Sequence, residues 1–311
     1  MSDEGWRADG RVTEVLDEAA VLHVAVAARS GPHVTPAVFD RDGGRLWFVT
    51  PRRSLKARVI ARRRTVGGLA RLGNRSVLIG GRARIVDPFT ARGVFSPGGL
   101  LDLPLAAAGY LARNDRHFVG TLRDHEAPTL ALSRVLVQID IRRLALLEGP
   151  AVVGQWGRWP ATDVLLHGAP PPVPAPDLTA LPAGLRLLFG DDATVVLGWQ
   201  TLAGEPLALP ARWHGAHGAA DAAVETSAAA VILAGGTSAG PACVTAERSG
   251  HRLNTKRGVI LRGDGHARRD GALAQVTLDA DRLTWWTGEE RHSLAARRSR
   301  PTTGANWPER P

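Results

Sequence analysis

Cysteine, lysine and long apolar runs are what this chain of 311 residues has least of. Cys243 is the only cysteine, which excludes an intrachain disulfide framework and a cysteine-rich zinc site. No stretch approaches the ~20 apolar residues that a membrane-crossing helix needs. The opening residues Ser2, Asp3 and Glu4 are too acidic for a signal or transit peptide, so a cytoplasmic protein without a membrane partner is expected. Lys56 and Lys256 are the only lysines, so arginine supplies nearly all of the 39 basic residues that outweigh 30 acidic ones. Arginine used this way, beside abundant glycine and alanine, is the mark of a GC-rich genome. The net charge of +9 is therefore no argument by itself for a nucleic-acid partner.

The distribution of that charge says more. Between Arg52 and Arg92, Asp87 is the only acid against twelve Lys and Arg residues, a local field that attracts an anion. An RNA-binding surface would interleave exposed aromatics with those cations. Between residues 49 and 88 there are none, which turns the reading from RNA toward a small anionic ligand.

The hydropathy pattern predicts a mainly β chain. A short helix is expected over 11–19, with Val12, Val15, Leu16 and Ala19 on one face. Apolar alternation then predicts strands at 21–29, 33–39 and 45–50, joined by Ser30-Gly31-Pro32 and Asp42-Gly43-Gly44. Loops this short make an antiparallel meander and exclude parallel βαβ crossovers. Pro36 inside the second strand predicts an edge, a bulge, or backbone approaching a ligand. A helix at 54–63, strands at 66–72 and 75–86, helical segments over 89–120 and a strand at 134–147 complete a small closed barrel. Residues 151–184 are rich in proline and glycine, including Pro170-Pro171-Pro172 and Pro174, and read as a linker. The expected organisation is a barrel over 1–150, the linker, and a second barrel over 185–311, whose strands resume at 193–199.

The second barrel is predicted from an internal repeat. Residues 31–39 (GPHVTPAVF) parallel 205–213 (EPLALPARW), matching Pro32 with Pro206, Pro36 with Pro210 and Phe39 with Trp213. Gly81-Arg82-Ala83-Arg84 returns as Gly265-His266-Ala267-Arg268, and Gln138-Ile139-Asp140-Ile141 as Gln275-Val276-Thr277-Leu278. Three matches in one order indicate a diverged tandem duplication. Two such barrels can pack as a pseudo-dimer within one chain, with no second copy required. The halves are unequal, because 214–233 contains no lysine or arginine.

The strongest chemical signal is RLWFVTPRRSLKAR, residues 45–58. Ser54 is placed to cap the following helix, and Arg52, Arg53, Lys56 and Arg58 crowd its start. Cations there oppose the helix dipole at about 0.3–1 kcal/mol each, unless something negative is bound. A phosphate would take the backbone N–H groups, the Ser54 hydroxyl and the cationic side chains together.

Together HVTPAVF, RLWFVTP, SLKAR and GGRARIVD, spread over residues 22–86, resemble the pyridoxamine 5′-phosphate oxidase-like, flavin-binding split β-barrel superfamily. The resemblance implies that the loop and helix after the third strand bind a cofactor phosphate through Thr50, Arg53, Ser54, Lys56 and Arg58. It lays Val34, Thr35 and Pro36 along the isoalloxazine ring. It implies FMN as cofactor, or alternatively a deazaflavin whose acidic tail would suit Arg62, Arg63 and Arg64. The activity implied is oxidoreduction of a small organic substrate; the rival is a non-catalytic flavin or haem binder. One cofactor site is expected to be intact and its counterpart degenerate. Trp286-Thr287-Gly288 with Arg291-His292 faintly resembles the oxidase's substrate-contacting tail, but at a different spacing.

Other signals carry less. Gly236-Thr237-Ser238-Ala239-Gly240 fits the hydrolase nucleophile elbow, yet Pro241 onward reads as a strand where a helix is required. His214 and His217 have metal-ligand spacing without a third ligand. Asp124-His125-Glu126 reads as an exposed connector.

Overall fold

The structure, a computed structural model, describes residues 5–86, 133–161, 173, 176–215, 223–248, 257–288 and 290–295. The expected helical segments of 89–120, together with Asp124-His125-Glu126, Pro170-Pro171-Pro172, Pro174, His217 and Lys256, lie outside these residues.

Helix α1, Gly10–Glu18, begins where Asp9 accepts from the Arg11 N–H at 2.9 Å and buries Val12, Val15 and Leu16. The strands of the first body are β1 (Leu22–Ala28), β2 (Gly31–Ala37), β3 (Phe39–Asp42), β4 (Arg45–Pro51), β5 (Thr65–Leu72), β6 (Arg75–Val86), β7 (Arg134–Glu148) and β8 (Ala151–Trp156), with helix α2 (Leu55–Ile60) after β4. Their order is β2-β1-β5-β6-β7-β4-β3, with β8 also on β7, and the pairings are antiparallel. Only Val38 separates β2 from β3. The strand that starts beside β1 therefore finishes beside β4, and the sheet curls round on itself. Pro32 and Pro36 lie on β2, which among the described residues has β1 as its one sheet neighbour. A proline there forfeits no ladder bond on its open side, which realises the edge option for Pro36.

After helix α3 (Ala183–Arg186), the second body contains β9 (Ala193–Gln200), β10 (Pro206–His214), β11 (Ala223–Ser227), helix α4 (Ala228–Leu233), β12 (Ala239–Arg248), β13 (Arg257–Asp270), β14 (Leu273–Thr287) and β15 (Glu290–Ala295). Its order is β11-β10-β9-β12-β13-β14-β15, and a β11–β14 pairing closes six of these strands into a barrel. The architecture is thus mainly β with inserted helices, in two β-rich bodies, as the sequence predicts. Among the described residues no helix is long and apolar enough to cross a membrane.

The duplication extends to individual side chains. Arg84 Nε and Nη2 both donate to Gln138 Oε1, at 3.0 and 2.7 Å. Arg268 Nε and Nη2 grip Gln275 Oε1 at 3.0 and 2.6 Å. The long strand pairs β6–β7 and β13–β14 each also carry one register shift, at Gly80/Gly81 and at Arg262/Gly263.

The segment read as linker begins differently. Ala151–Trp156 is strand β8, alternating in exposure until Trp156 is buried. Proline and glycine further along the window outweigh this short alternating run in a composition average.

The bodies meet through reciprocal contacts: β2 lies against β9 and β12, and β10 against β1 and β5. One apolar core crosses the seam, joining Ala25, Val34, Leu69 and Leu147 to Leu197, Trp199, Leu209 and Val244. Thr245 Oγ1 donates to Val34 O at 3.0 Å, and Arg71 Nη1 to Val195 O at 3.1 Å. His23 Nε2 lies 2.9 Å from Glu247 Oε1.

Candidate functional site

The basic loop sits where β4 ends and α2 begins. The Arg52 N–H donates to Ser133 O at 2.8 Å and the Ser54 N–H to Pro51 O at 2.9 Å, which fixes the turn. Ser54 Oγ accepts from the Ala57 N–H at 3.1 Å, the expected N-cap, and lies 3.1 Å from Thr50 Oγ1. Removing this cap in Ser54→Ala should cost about 0.5–2 kcal/mol, read as a lower midpoint in thermal unfolding of the full chain.

The cations divide into two groups. Arg52, Arg53 and Arg58 are exposed, whereas Lys56 is buried with 5% of its surface accessible. Lys56 Nζ reaches Thr35 O at 3.4 Å and stands 5.0 Å from the Phe48 ring centroid. An ammonium drawn under β2 in this way joins the loop to the strand expected along the ring. Thr35 and Pro36 are half-buried beside it. The Val34 side chain packs in the seam, where a Cβ built on Gly198 would stand 2.6 Å from Val34 Cγ2.

Two residues that sequence reasoning missed complete the cluster. His33 is buried on β2, and Arg262 Nη2 of β13 lies against its Nδ1. Burial holds the His33 imidazole well below its ordinary 6.5, and the charges of Arg262, Lys56 and Arg291 push the same way. Burial also lowers the Arg262 guanidinium, whose Nε has no partner among the described residues. The available signal was a single arginine directly after the apolar run Val259-Ile260-Leu261, at the point where β13 shifts register. Arg291 belongs to the exposed β15. Trp285 stacks on His292 at 5.2 Å and is buried, while Trp286 packs against the core.

The corresponding place in the second body has lost the loop. In the first body Val49 pairs with Leu136, two residues before Gln138, and Thr50–Arg53 follow before the cap Ser54. In the second, Ser227 pairs with Leu273, two residues before Gln275, and is itself the cap of α4. The position after Ala228 is Ala229 where α2 has Lys56. A cavity of about 760 Å³ remains there, lined mainly by apolar groups such as Val152, Ala229, Ile232 and Leu233.

The remaining sequence signals stay apart from this cluster. Ser238 leads directly into β12, so the elbow's helix is missing. His214 faces Glu225 at 2.9 Å. Among the described residues no three His, Cys, Asp or Glu side chains come together as a metal site.

Residues 9–95 match the family model described as pyridoxamine 5′-phosphate oxidase, which upholds the resemblance drawn from the sequence. No curated protein matches the chain. Among solved structures, general stress protein 26 from Bacillus anthracis aligns at 17% identity over 46% of this chain and 95% of its own, with a TM-score of 0.31. A pyridoxamine 5′-phosphate oxidase-related, FMN-binding protein from Nostoc punctiforme aligns at 17% identity over 46% of this chain and 83% of its own, with a TM-score of 0.34. An F420 reductase aligns at 22% identity over 43% of this chain and 94% of its own, with a TM-score of 0.31.

Proposed function

We propose that the chain, whose residues 9–95 match the pyridoxamine 5′-phosphate oxidase family model, binds one flavin-type cofactor and uses it in oxidoreduction of a small organic substrate. FMN is the first choice and a deazaflavin the second. The observation that carries the reading is the buried Lys56 ammonium, joined to β2 through Thr35 O, on the helix α2 that follows the paired Thr50 and Ser54 hydroxyls.

The donor set suits a phosphate ester. Lys56 offers a point charge, Arg53 and Arg58 add planar N–H donors, and the loop contains no carboxylate. When bound, such a cofactor supplies the hydride chemistry, and the protein contributes binding, orientation and electrostatics. Lys56 and the loop would hold the phosphate, with Thr35 and Pro36 flanking the ring. Arg262 and Arg291 would extend the positive field from the second body.

Titrating the purified full-length protein with FMN, and separately with F420, while following visible absorbance and fluorescence tests the proposal. Saturable binding of one cofactor per chain is expected. Failure of both to bind, or a Soret band on adding haem without any flavin binding, would overturn it.

A further inference from the structure

His33 and Arg262 come from different bodies and are both at least nine-tenths buried, at 8% and 9% exposure. Burying an arginine beside an imidazole is unfavourable for folding alone, since neither neutralises the other. The contact nevertheless dictates one protonation state. A guanidinium has only N–H donors, so the His33 Nδ1 facing Arg262 Nη2 must be the acceptor. A protonated imidazole would set donor against donor. The neutral ring then carries its hydrogen on Nε2.

The surroundings act in the same direction. The charged groups acting on His33 are Arg262 of β13, Lys56 of α2 and Arg291 of β15, and no carboxylate stands among them. The pair also occurs only beside the basic loop. His33 follows Pro32 as Leu207 follows Pro206, and Arg262 stands three residues before Gly265 as Leu78 stands three before Gly81. The pseudo-equivalent pair is therefore a leucine from each body, Leu207 of the second and Leu78 of the first, on the side where the loop is missing. Two polar residues that accompany the loop and are absent without it belong to the ligand's requirements more than to the barrel's.

We propose that Arg262 is a positioning residue of the ligand site, holding His33 as the neutral Nε2–H tautomer so that this N–H is offered to an uncharged acceptor on the ligand, a ring carbonyl or ring nitrogen. The proposal rests on the flavin reading for the ligand, and on this chain's own residues for the tautomer. It makes the site's donor insensitive to pH across the neutral range, unlike an ordinary histidine.

Long-range proton–nitrogen NMR of the histidine-labelled full chain, with and without FMN, tests it. Wild type should show the Nε2–H pattern for His33 unchanged from about pH 5.5 to 8, and adding FMN should move that resonance. Arg262→Gln, whose amide oxygen can accept from Nδ1–H, should release the lock and let His33 titrate toward 6.5. Arg262→Lys, again only a donor, should restore the wild-type pattern. An Nδ1–H pattern or an ordinary titration in wild type would overturn the tautomer assignment, and needs no variant to fold. A resonance unmoved by FMN that is spectroscopically bound would overturn the ligand contact. FMN that does not bind would remove the flavin reading, and with it the ligand contact, while the pH series still decides the tautomer.

Discussion

Lys56→Ala is expected to weaken FMN binding about tenfold to a hundredfold, the equivalent of losing a charge-assisted hydrogen bond of about 1.5–3 kcal/mol. The effect should be large because this ammonium is buried, with water unable to stand in for it. Arg53→Ala, at an exposed position on the same loop, should cost less and should respond more to salt, because exposed charges are screened. The comparison is a set of equilibrium titrations at two salt concentrations. Lys256→Ala, which removes the chain's other lysine, serves as the control and should leave affinity unchanged. Equal affinities for all three variants would detach the loop from the ligand.

Gly67→Val should destabilise the protein by about 1–3 kcal/mol or more, the range for forcing atoms into a packed core. A Cβ on Gly67 would stand 2.4 Å from Pro206 O and 3.1 Å from Leu207 Cα. Both are backbone atoms of β10, so no side chain can turn aside and the bodies would have to separate locally. The shared core that crosses the seam would loosen with them. Gly10→Ala is the control: a Cβ there meets nothing within 4 Å, and alanine favours a helix over glycine. Thermal unfolding should show a lower midpoint for Gly67→Val and an unchanged or higher one for Gly10→Ala.

The sequence revealed most where local chemistry decides the outcome. Alternating apolar residues and tight turns located β1, β2 and β4 to β7 to within a few residues, since side chains on opposite faces of a strand leave a period that survives in the sequence, whereas the short β3 went unread between the second strand and its turn. The Ser54 cap was readable because a hydroxyl ahead of a short helix has a specific local partner in the Ala57 N–H. The repeat was readable because Arg84–Gln138 and Arg268–Gln275 are the same cross-strand grip preserved twice. What stayed hidden depends on distance in the chain. His33 and Arg262 are separated by most of the sequence and meet only through the packing of two bodies. Val34 sits in the HVTP run and its side chain packs against Gly198 of the second body, a contact that no local pattern announces. Strand β8 was obscured by the prolines that follow it.

The two bodies divide the labour unequally. The first keeps the loop Thr50–Arg53 and the buried Lys56; the second lends Arg262 and Arg291 and has Ser227 and Ala229 where its own loop and cation would be. On the proposed reading, that asymmetry predicts one anionic ligand per chain, held by the first body and completed by the second.

The most direct measurement is the electron density of crystals of the full-length protein grown with FMN. The account expects one cofactor per chain, its phosphate in contact with Ser54 and Lys56 and its ring reaching toward His33 and Arg262. A phosphate lodged in the apolar cavity beside Ala229, or a cofactor bound elsewhere with the Thr50–Arg58 loop untouched, would contradict it.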